Sequence, residues 1–350
     1  MIDLKAYGWN PTMLPNDMEG IPARITAVHR ERFELVCPNG AGFGKLKTAV
    51  YYGQGEEFPT VGDFVLLQYE ASGDSMITKT FPRKSFFSRR DPTPGRGEQA
   101  VAANFDTVFV MTSLNRDFNI SRLERYLTLA WQSGGTPVVV LTKADLTNEY
   151  DTQLQAVQEI AVEVDIIPVS AVSGQGFDRL GVYLQPQKTV VFLGSSGVGK
   201  SSLLNALAEQ KLMEVNAIRE DDSRGRHTTT HRQLFMLPSG AMVIDTPGMR
   251  ELGMWDVSNG LSGAFSDVEE VLSRSCRFAD CRHVTEPGCC VKDAIETGEL
   301  SAERWQQYMA LKQEAKYTES KSTFMRERRQ LHKNLSKGIK NMKKNGEIQY

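Results

Sequence analysis

The chain has 350 residues, of which 40% are hydrophobic and 24% charged, and its formal net charge is −2. That length predicts two or three domains, and the composition is that of a globular protein able to bury a core. The charge excludes nucleic-acid binding driven by overall basicity, and with no run of 18 apolar residues no membrane span is expected.

The N-terminal stretch MIDLKAYGWNPTM lacks the basic start and apolar segment of a signal peptide, so a cytoplasmic location is expected. There are five Cys, four of them between Cys276 and Cys290. An odd, clustered set argues for metal binding rather than disulfides.

Residues 22–80 carry short alternating runs, ARITAV, RFELVC, GKLKTAVYY, DFVLLQY and SMITKTF, divided by the turn compositions PNGAG, PTVG and ASGD. Five strands in this space predict a small barrel such as an OB-fold, with an SH3-like barrel or a half-open sheet as the alternative. Residues 81–103 hold three Pro, two Gly and five Lys or Arg, and read as a linker or exposed loop. That loop is a solvated connector or touches RNA.

From residue 104 strands alternate with helices. DTVFVMTS, TPVVVLT, DIIPVSA and TVVFLG read as strands, SRLERYLTLAWQSG and SSLLNALA as helices. QLFMLPSGAMVIDTPG reads as two strands joined by a Pro-Ser-Gly turn. The alternation predicts a mainly parallel sheet covered on both faces. After about residue 256 the strands stop, and the segment from Ser301 is helical in pattern. Residues 316–350 hold ten Lys or Arg against three Glu, a local excess of +7.

Gly194-Ser195-Ser196-Gly197-Val198-Gly199-Lys200-Ser201 follows a strand and opens a helix at Ser202. It is a phosphate-binding loop: its glycines let successive N–H groups face phosphate oxygens, and the helix adds its positive end. Lys200 reaches the β- and γ-phosphates, and Ser201 offers its hydroxyl to Mg²⁺. VIDTPG places Asp245 for the Mg²⁺ shell and the Gly248 N–H for a γ-phosphate. In LTKAD, Asp145 can accept both hydrogens of the guanine edge, while the Lys143 stem lies along the base. Ser170 and Ala171 in PVSA bring an N–H towards the guanine carbonyl. Together these predict GTP as the ligand.

The loop arrives past the middle of the chain because the order is rearranged. Ordinary GTPases run phosphate loop, switch Thr, D-x-x-G, N-K-x-D and then S-A. This chain runs TKAD, SA, phosphate loop and D-x-x-G, so residues 104–188 are the second half of the same domain, placed first. The sites still meet at the carboxyl ends of one sheet.

With this order the sequence resembles the bacterial circularly permuted GTPases that depend on the small ribosomal subunit, the RsgA family. The resemblance covers nearly the whole chain: barrel, permuted motifs and a terminal C-x₄-C-x-H-x₅-C. It implies an OB-fold barrel, a zinc-binding Cys/His group, and action late in small-subunit maturation. The base motif departs from the family's usual N-K-x-D, since Thr142 stands in the Asn position and a hydroxyl replaces only part of an amide's bonding.

DDSRGRHTTTHRQL, residues 221–234, is the expected switch, with Thr229 chosen as the Mg²⁺ ligand and Thr228 close behind. The residue after DTPG is Met249, which cannot orient water as a Gln does. His227 in the switch is the candidate for that task, beside Lys200 as the second catalytic residue. Cys276, Cys281, His283 and Cys289 offer the donors of a closed, structural zinc site, with Cys290 as a rival ligand.

The expected organisation is an OB-fold barrel with an N-terminal extension at 1–84 and a permuted GTPase domain with a leading linker at 85–256. A zinc-binding module with a basic helical tail follows at 257–350. The expected function is a GTPase that binds the small ribosomal subunit and its rRNA, assists late subunit maturation and is stimulated by the subunit, acting as a monomer with one structural Zn²⁺ and with Mg²⁺ beside bound GTP. A GTP-binding switch with negligible hydrolysis and, more distantly, an ATP-dependent kinase are the alternatives.

Overall fold

A computed structural model of the chain describes all residues except 16–17, 30–31, 55, 91–97, 116, 148, 214–231, 246–263, 275, 279–280, 285 and 314–350. The five predicted N-terminal strands form: β1 (Ile21–Val28), β2 (Phe33–Cys37), β3 (Gly40–Leu46), β4 (Phe64–Gln68) and β5 (Ser75–Thr80). β1 pairs with both β2 and β4, and β3 pairs in parallel with β5, so the sheet closes in the order β1-β2-β3-β5-β4-β1. This is the closed OB-fold solution rather than the SH3-like one. Inward residues such as Ala23, Ile25, Leu35, Val65, Leu67 and Ile77 fill the barrel.

Two sequence expectations differ from the structure. The third run reads as extended through AVYY, but β3 stops at Leu46 and Ala49–Gln54 forms a π-type turn. The turn drops Tyr51 into the barrel, where its hydroxyl lies 3.0 Å from Thr80 Oγ1. The stretch read as a connector is partly sheet: β6 (Phe86–Arg90) and β7 (Glu98–Ala103) pair antiparallel. Phe87, Val101 and Ala102 are buried, and Phe87 stacks on Phe105 at 4.9 Å. The Pro, Gly and Arg between the two apolar ends had masked them.

The remaining strands are β8 (Thr107–Ser113), β9 (Thr136–Thr142), β10 (Asp165–Pro168), β11 (Thr189–Gly194), β12 (Gln233–Met236) and β13 (Met242–Asp245). They lie in the order β10-β9-β8-β11-β13-β12, parallel up to β13, with β12 antiparallel at the end. Every residue of β8 and β11 is buried. This is the signature of central parallel strands covered on both faces. The helices are α1 (Ile120–Gln132), α2 (Asp151–Ile160), α3 (Phe177–Leu180) and α4 (Lys200–Leu207). α1 starts where the Asn119 side chain accepts from the Arg122 N–H at 2.8 Å, as an N-cap does.

The barrel and the GTPase sheet are continuous, because β1 pairs with β12 at Ala27 and Gln233. Arg24 of β1 is buried at this joint. It donates to the carbonyls of Gly62 (3.2 Å), Tyr7 (2.6 Å) and Asn104 (3.0 Å) and to Thr189 Oγ1 (3.0 Å). Burial lowers its pKa to about 10, against the pull of Asp106 and Asp63.

The C-terminal part holds α5 (Ser266–Leu272), α6 (Cys290–Glu296) and a helix at 302–313, here α7. Arg304 of α7 is 6% exposed and pairs with Glu124 of α1 at 2.9 Å and with Asp267 of α5 at 2.9 Å. It also lies 4.1 Å from the Phe265 ring centre. The module is thus fixed to the GTPase core by a buried charge network. Among the described residues no helix is long and apolar enough to cross a membrane.

Candidate nucleotide site and metal centre

The phosphate loop joins β11 to α4 at the carboxyl edge of the sheet. Gly194 has no room for a side chain, since a Cβ there would sit 2.7 Å from the Met111 carbonyl. Gly199 has φ +108°, a conformation that side chains disfavour. Lys200 Nζ donates to the carbonyls of Gly194 (2.8 Å) and Ser195 (2.6 Å), so its charge is held inside the loop.

The base motif is attached to this loop by two residues. The Thr142 hydroxyl donates to the Val198 carbonyl at 2.5 Å and lies 3.4 Å from the Thr112 carbonyl. Lys143, at φ +61°, extends across the loop, and its Nζ donates to the Gly197 carbonyl at 2.8 Å. Asp145 is exposed in the short turn that follows.

The Ala144 N–H donates to the Val169 carbonyl at 3.1 Å, which brings Asp145 beside Ser170 and Ala171. Ser170 is fully buried, and its hydroxyl accepts from the N–H groups of Val172 (3.2 Å) and Ser173 (3.1 Å). Sequence-distant TKAD, SA and the phosphate loop therefore meet at one edge. Asp245 ends β13 beside β11, buried at the same edge. His227, Thr228, Thr229, Gly248 and Met249 lie outside the described residues.

Cys276, Cys281, His283 and Cys289 converge, with their ligand atoms all within 4.8 Å of one another. His283 Nδ1 lies 3.7 Å from Cys276 Sγ, 3.7 Å from Cys281 Sγ and 3.3 Å from Cys289 Sγ. Sulfurs at about 2.3 Å and a nitrogen at about 2.0–2.1 Å around one tetrahedral ion would stand roughly 3.5–3.8 Å apart. The donor set and its spacing fit such an ion. His283 itself has φ +60°, and Gly288 has φ +69° in the turn that returns the chain to Cys289. Trp305 of α7 packs edge-on to the His283 ring at 5.6 Å.

The RsgA GTPase family model matches residues 80–255. The chain is 43% identical to small ribosomal subunit biogenesis GTPase RsgA 1 of Listeria innocua, over 91% of this chain and 90% of that protein. It is 41% identical to the Methanosarcina acetivorans protein named small ribosomal subunit biogenesis GTPase RsgA, over 86% of this chain and 81% of that one. The chain belongs to the RsgA GTPase family. It is therefore a GTPase, a hydrolase of GTP, and the reading as a passive switch gains no support.

The fold agrees with that placement. The crystal structure of YjeQ from Thermotoga maritima superimposes with a TM-score of 0.64 at 27% identity, covering 85% of this chain and 99% of that one. YloQ, described as a circularly permuted GTPase, gives 0.58 at 26% identity over 87% and 98%. An ABC transporter model also matches residues 177–343, a span that includes the phosphate loop.

In this RsgA GTPase one contact to the phosphate loop was not legible as a motif. Ser195 Oγ donates to Asp117 Oδ2 at 2.9 Å, and Asp117 pairs with Arg122 of α1. The acidic residue after β8 gives no sequence signal of its own, because a solvated Asp in an N-R-D turn looks the same.

Proposed function

We propose that this GTPase assists small ribosomal subunit biogenesis, with hydrolysis stimulated by the subunit. The observation that carries the reading is the permuted convergence at one sheet edge. Thr142 and Lys143 bond the phosphate loop that follows them by more than 50 residues. The relatives' names supply the subunit. We assign phosphate binding to Gly194, Ser195, Ser196, Gly197, Val198, Gly199, Lys200, Ser201 and Ser202, with Gly248 on the γ-phosphate. Thr142, Lys143, Asp145, Ser170 and Ala171 form the guanine site.

Ser201, Asp245 and Thr229 would hold Mg²⁺, which neutralises phosphate charge when bound. Lys200 supplies fixed positive charge to the phosphates, and His227 orients the attacking water, because Met249 has no group to do so. Cys276, Cys281, His283 and Cys289 would hold one Zn²⁺; a four-ligand set leaves no place for a reacting water, so its role is structural.

The allotment into a barrel (1–84), a GTPase domain (85–256) and a zinc module with basic tail (257–350) gives three surfaces, of which the barrel, module and tail contact rRNA. The protein acts in the cytoplasm, and as a monomer, the latter supported by the lack of coiled-coil heptads in the sequence.

Single-turnover GTP hydrolysis with and without purified small subunits tests the proposal. A rise of about 100-fold or more is expected with the subunit. Equal rates would overturn it. His227→Ala should remove most of the stimulated turnover with GTP affinity near normal, and unchanged stimulation would take His227 out of the mechanism.

A further inference from the structure

Cys290 has no place in the four-residue metal set, yet its Sγ lies 3.2 Å from Cys276 Sγ. Cys289 and Cys290 are neighbours in sequence but face different partners. Cys289, the N-cap of α6, is 1% exposed and turned to His283. Cys290, the first residue of α6, faces Cys276, and both of these are half-buried rather than sealed. A bonded sulfur pair stands at about 2.05 Å, so roughly 1.2 Å of approach separates this pair from a disulfide. This fourth thiol therefore sits beside one ligand of the cluster, within reach of a small oxidant.

We propose that Cys276 and Cys290 form a peroxide-sensitive pair whose oxidation withdraws Cys276 from the metal set and releases the ion. The Cys276 thiolate attacks one peroxide oxygen; the O–O bond breaks, hydroxide leaves and a sulfenic acid remains. The Cys290 thiol then attacks the Cys276 sulfur. The S–O bond breaks, water leaves with the Cys290 proton, and the S–S bond forms. The two thiols lose two electrons, and the peroxide takes them up. A reductant reverses the step by thiol–disulfide exchange. With one of four ligands gone, the segment around His283, against which Trp305 of α7 packs, loses its central tie.

This inference rests on the reading of the cluster as a zinc site, and the test separates the two. Zinc is first measured in the full-length wild-type protein and in Cys290→Ser. One zinc in each is expected. No zinc in the wild type overturns the metal reading and this proposal with it. Loss of zinc in Cys290→Ser alone makes Cys290 a ligand and overturns only the proposal. Hydrogen peroxide is then added, zinc release is followed with a chromogenic chelator, and disulfides are mapped by peptide mass spectrometry. The expected result is a Cys276–Cys290 link that appears with the released zinc, with zinc binding restored by reductant. Cys290→Ser should release zinc about tenfold more slowly. Equal release rates, or a wild-type link from Cys276 to Cys281 or Cys289 instead, would overturn the pair while leaving the zinc site standing.

Discussion

The Thr142 hydroxyl spends its single proton on the Val198 carbonyl, 2.5 Å away, so the end of β9 is bonded directly to the phosphate loop. The Thr112 carbonyl, at 3.4 Å, is the weaker acceptor. An Asn at this position would offer two donors, and Thr retains the one that reaches the loop. Thr142→Val keeps the shape and deletes the bond, leaving a buried-edge carbonyl unpaired. GTP and GDP binding should each weaken by about 1–2 kcal/mol, roughly five- to thirty-fold. Equilibrium titration with a fluorescent nucleotide measures this. The preference for guanine over adenine should not move, and unchanged affinity would show the bond to be idle.

Asp145 is held beside Ser170 and Ala171 by the Ala144–Val169 bond. Asp145→Asn exchanges one acceptor oxygen for a donor. The variant should lose GTP and gain XTP, whose edge presents a carbonyl where guanine has an amine. Competition between the two nucleotides measures the switch; a variant that still prefers GTP would displace Asp145 from the base site.

Arg304 and Glu124 form a pair that is 7% and 2% exposed in its side chains. Burial keeps the Glu124 carboxyl above its ordinary range even though Arg304 pulls it down. Arg304→Met should therefore cost about 3–5 kcal/mol of stability, because a buried carboxylate is left without its partner. Adding Glu124→Leu should recover a large part of that loss. Urea unfolding of the single and double variants tests it, and additive losses would show that the two residues are not coupled.

Asp106 is pushed upwards by burial. Lys84 Nζ at 2.7 Å, the Thr189 N–H at 2.9 Å and the Lys188 charge outweigh that, and the carboxyl ends below its ordinary 3.8. A carboxyl whose folded pKa is depressed adds stability above its unfolded value. That contribution is lost as the pH falls below 3.8 through the folded value. Asp106→Asn should lower stability at neutral pH by about 1–2 kcal/mol and flatten the acid limb of the stability curve. Urea midpoints followed down in pH measure both effects, and an acid limb of unchanged slope would assign the sensitivity to other carboxyls.

The features that were legible in the sequence share a cause: each is written within one short segment. The alternation of β1 and β2, the buried runs of β8 and β11, the glycines of the phosphate loop and the Cys-His spacing all lie within about 15 residues, where period and turn chemistry speak directly. Pairing between distant segments has no such signal. The strand pair at Phe86 and Ala103 reads as a connector because Pro, Gly and Arg dominate between its ends. Arg24 carries no mark of burial, since its acceptors come from Tyr7, Gly62, Asn104, Thr189 and Met242, scattered from residue 7 to residue 242. Asp117 and Arg304 carry no sequence signal for the same reason. The predicted switch residues His227 and Thr229 lie outside the described residues.

The pairing of β1 with β12 makes the barrel a poor candidate for exchange as a module. An excision after residue 84 would strip β12 of its neighbour and leave a bare strand edge, which invites sheet-to-sheet association between molecules. It would also remove Arg24 from Thr189 and Met242, so the GTPase half would keep a lining shaped for a cation that had gone. A barrel borrowed from another protein would need an arginine at the same place on its first strand and a matching register at Gln233. The two halves therefore constrain each other at this joint, and a change on one side needs a matching change on the other.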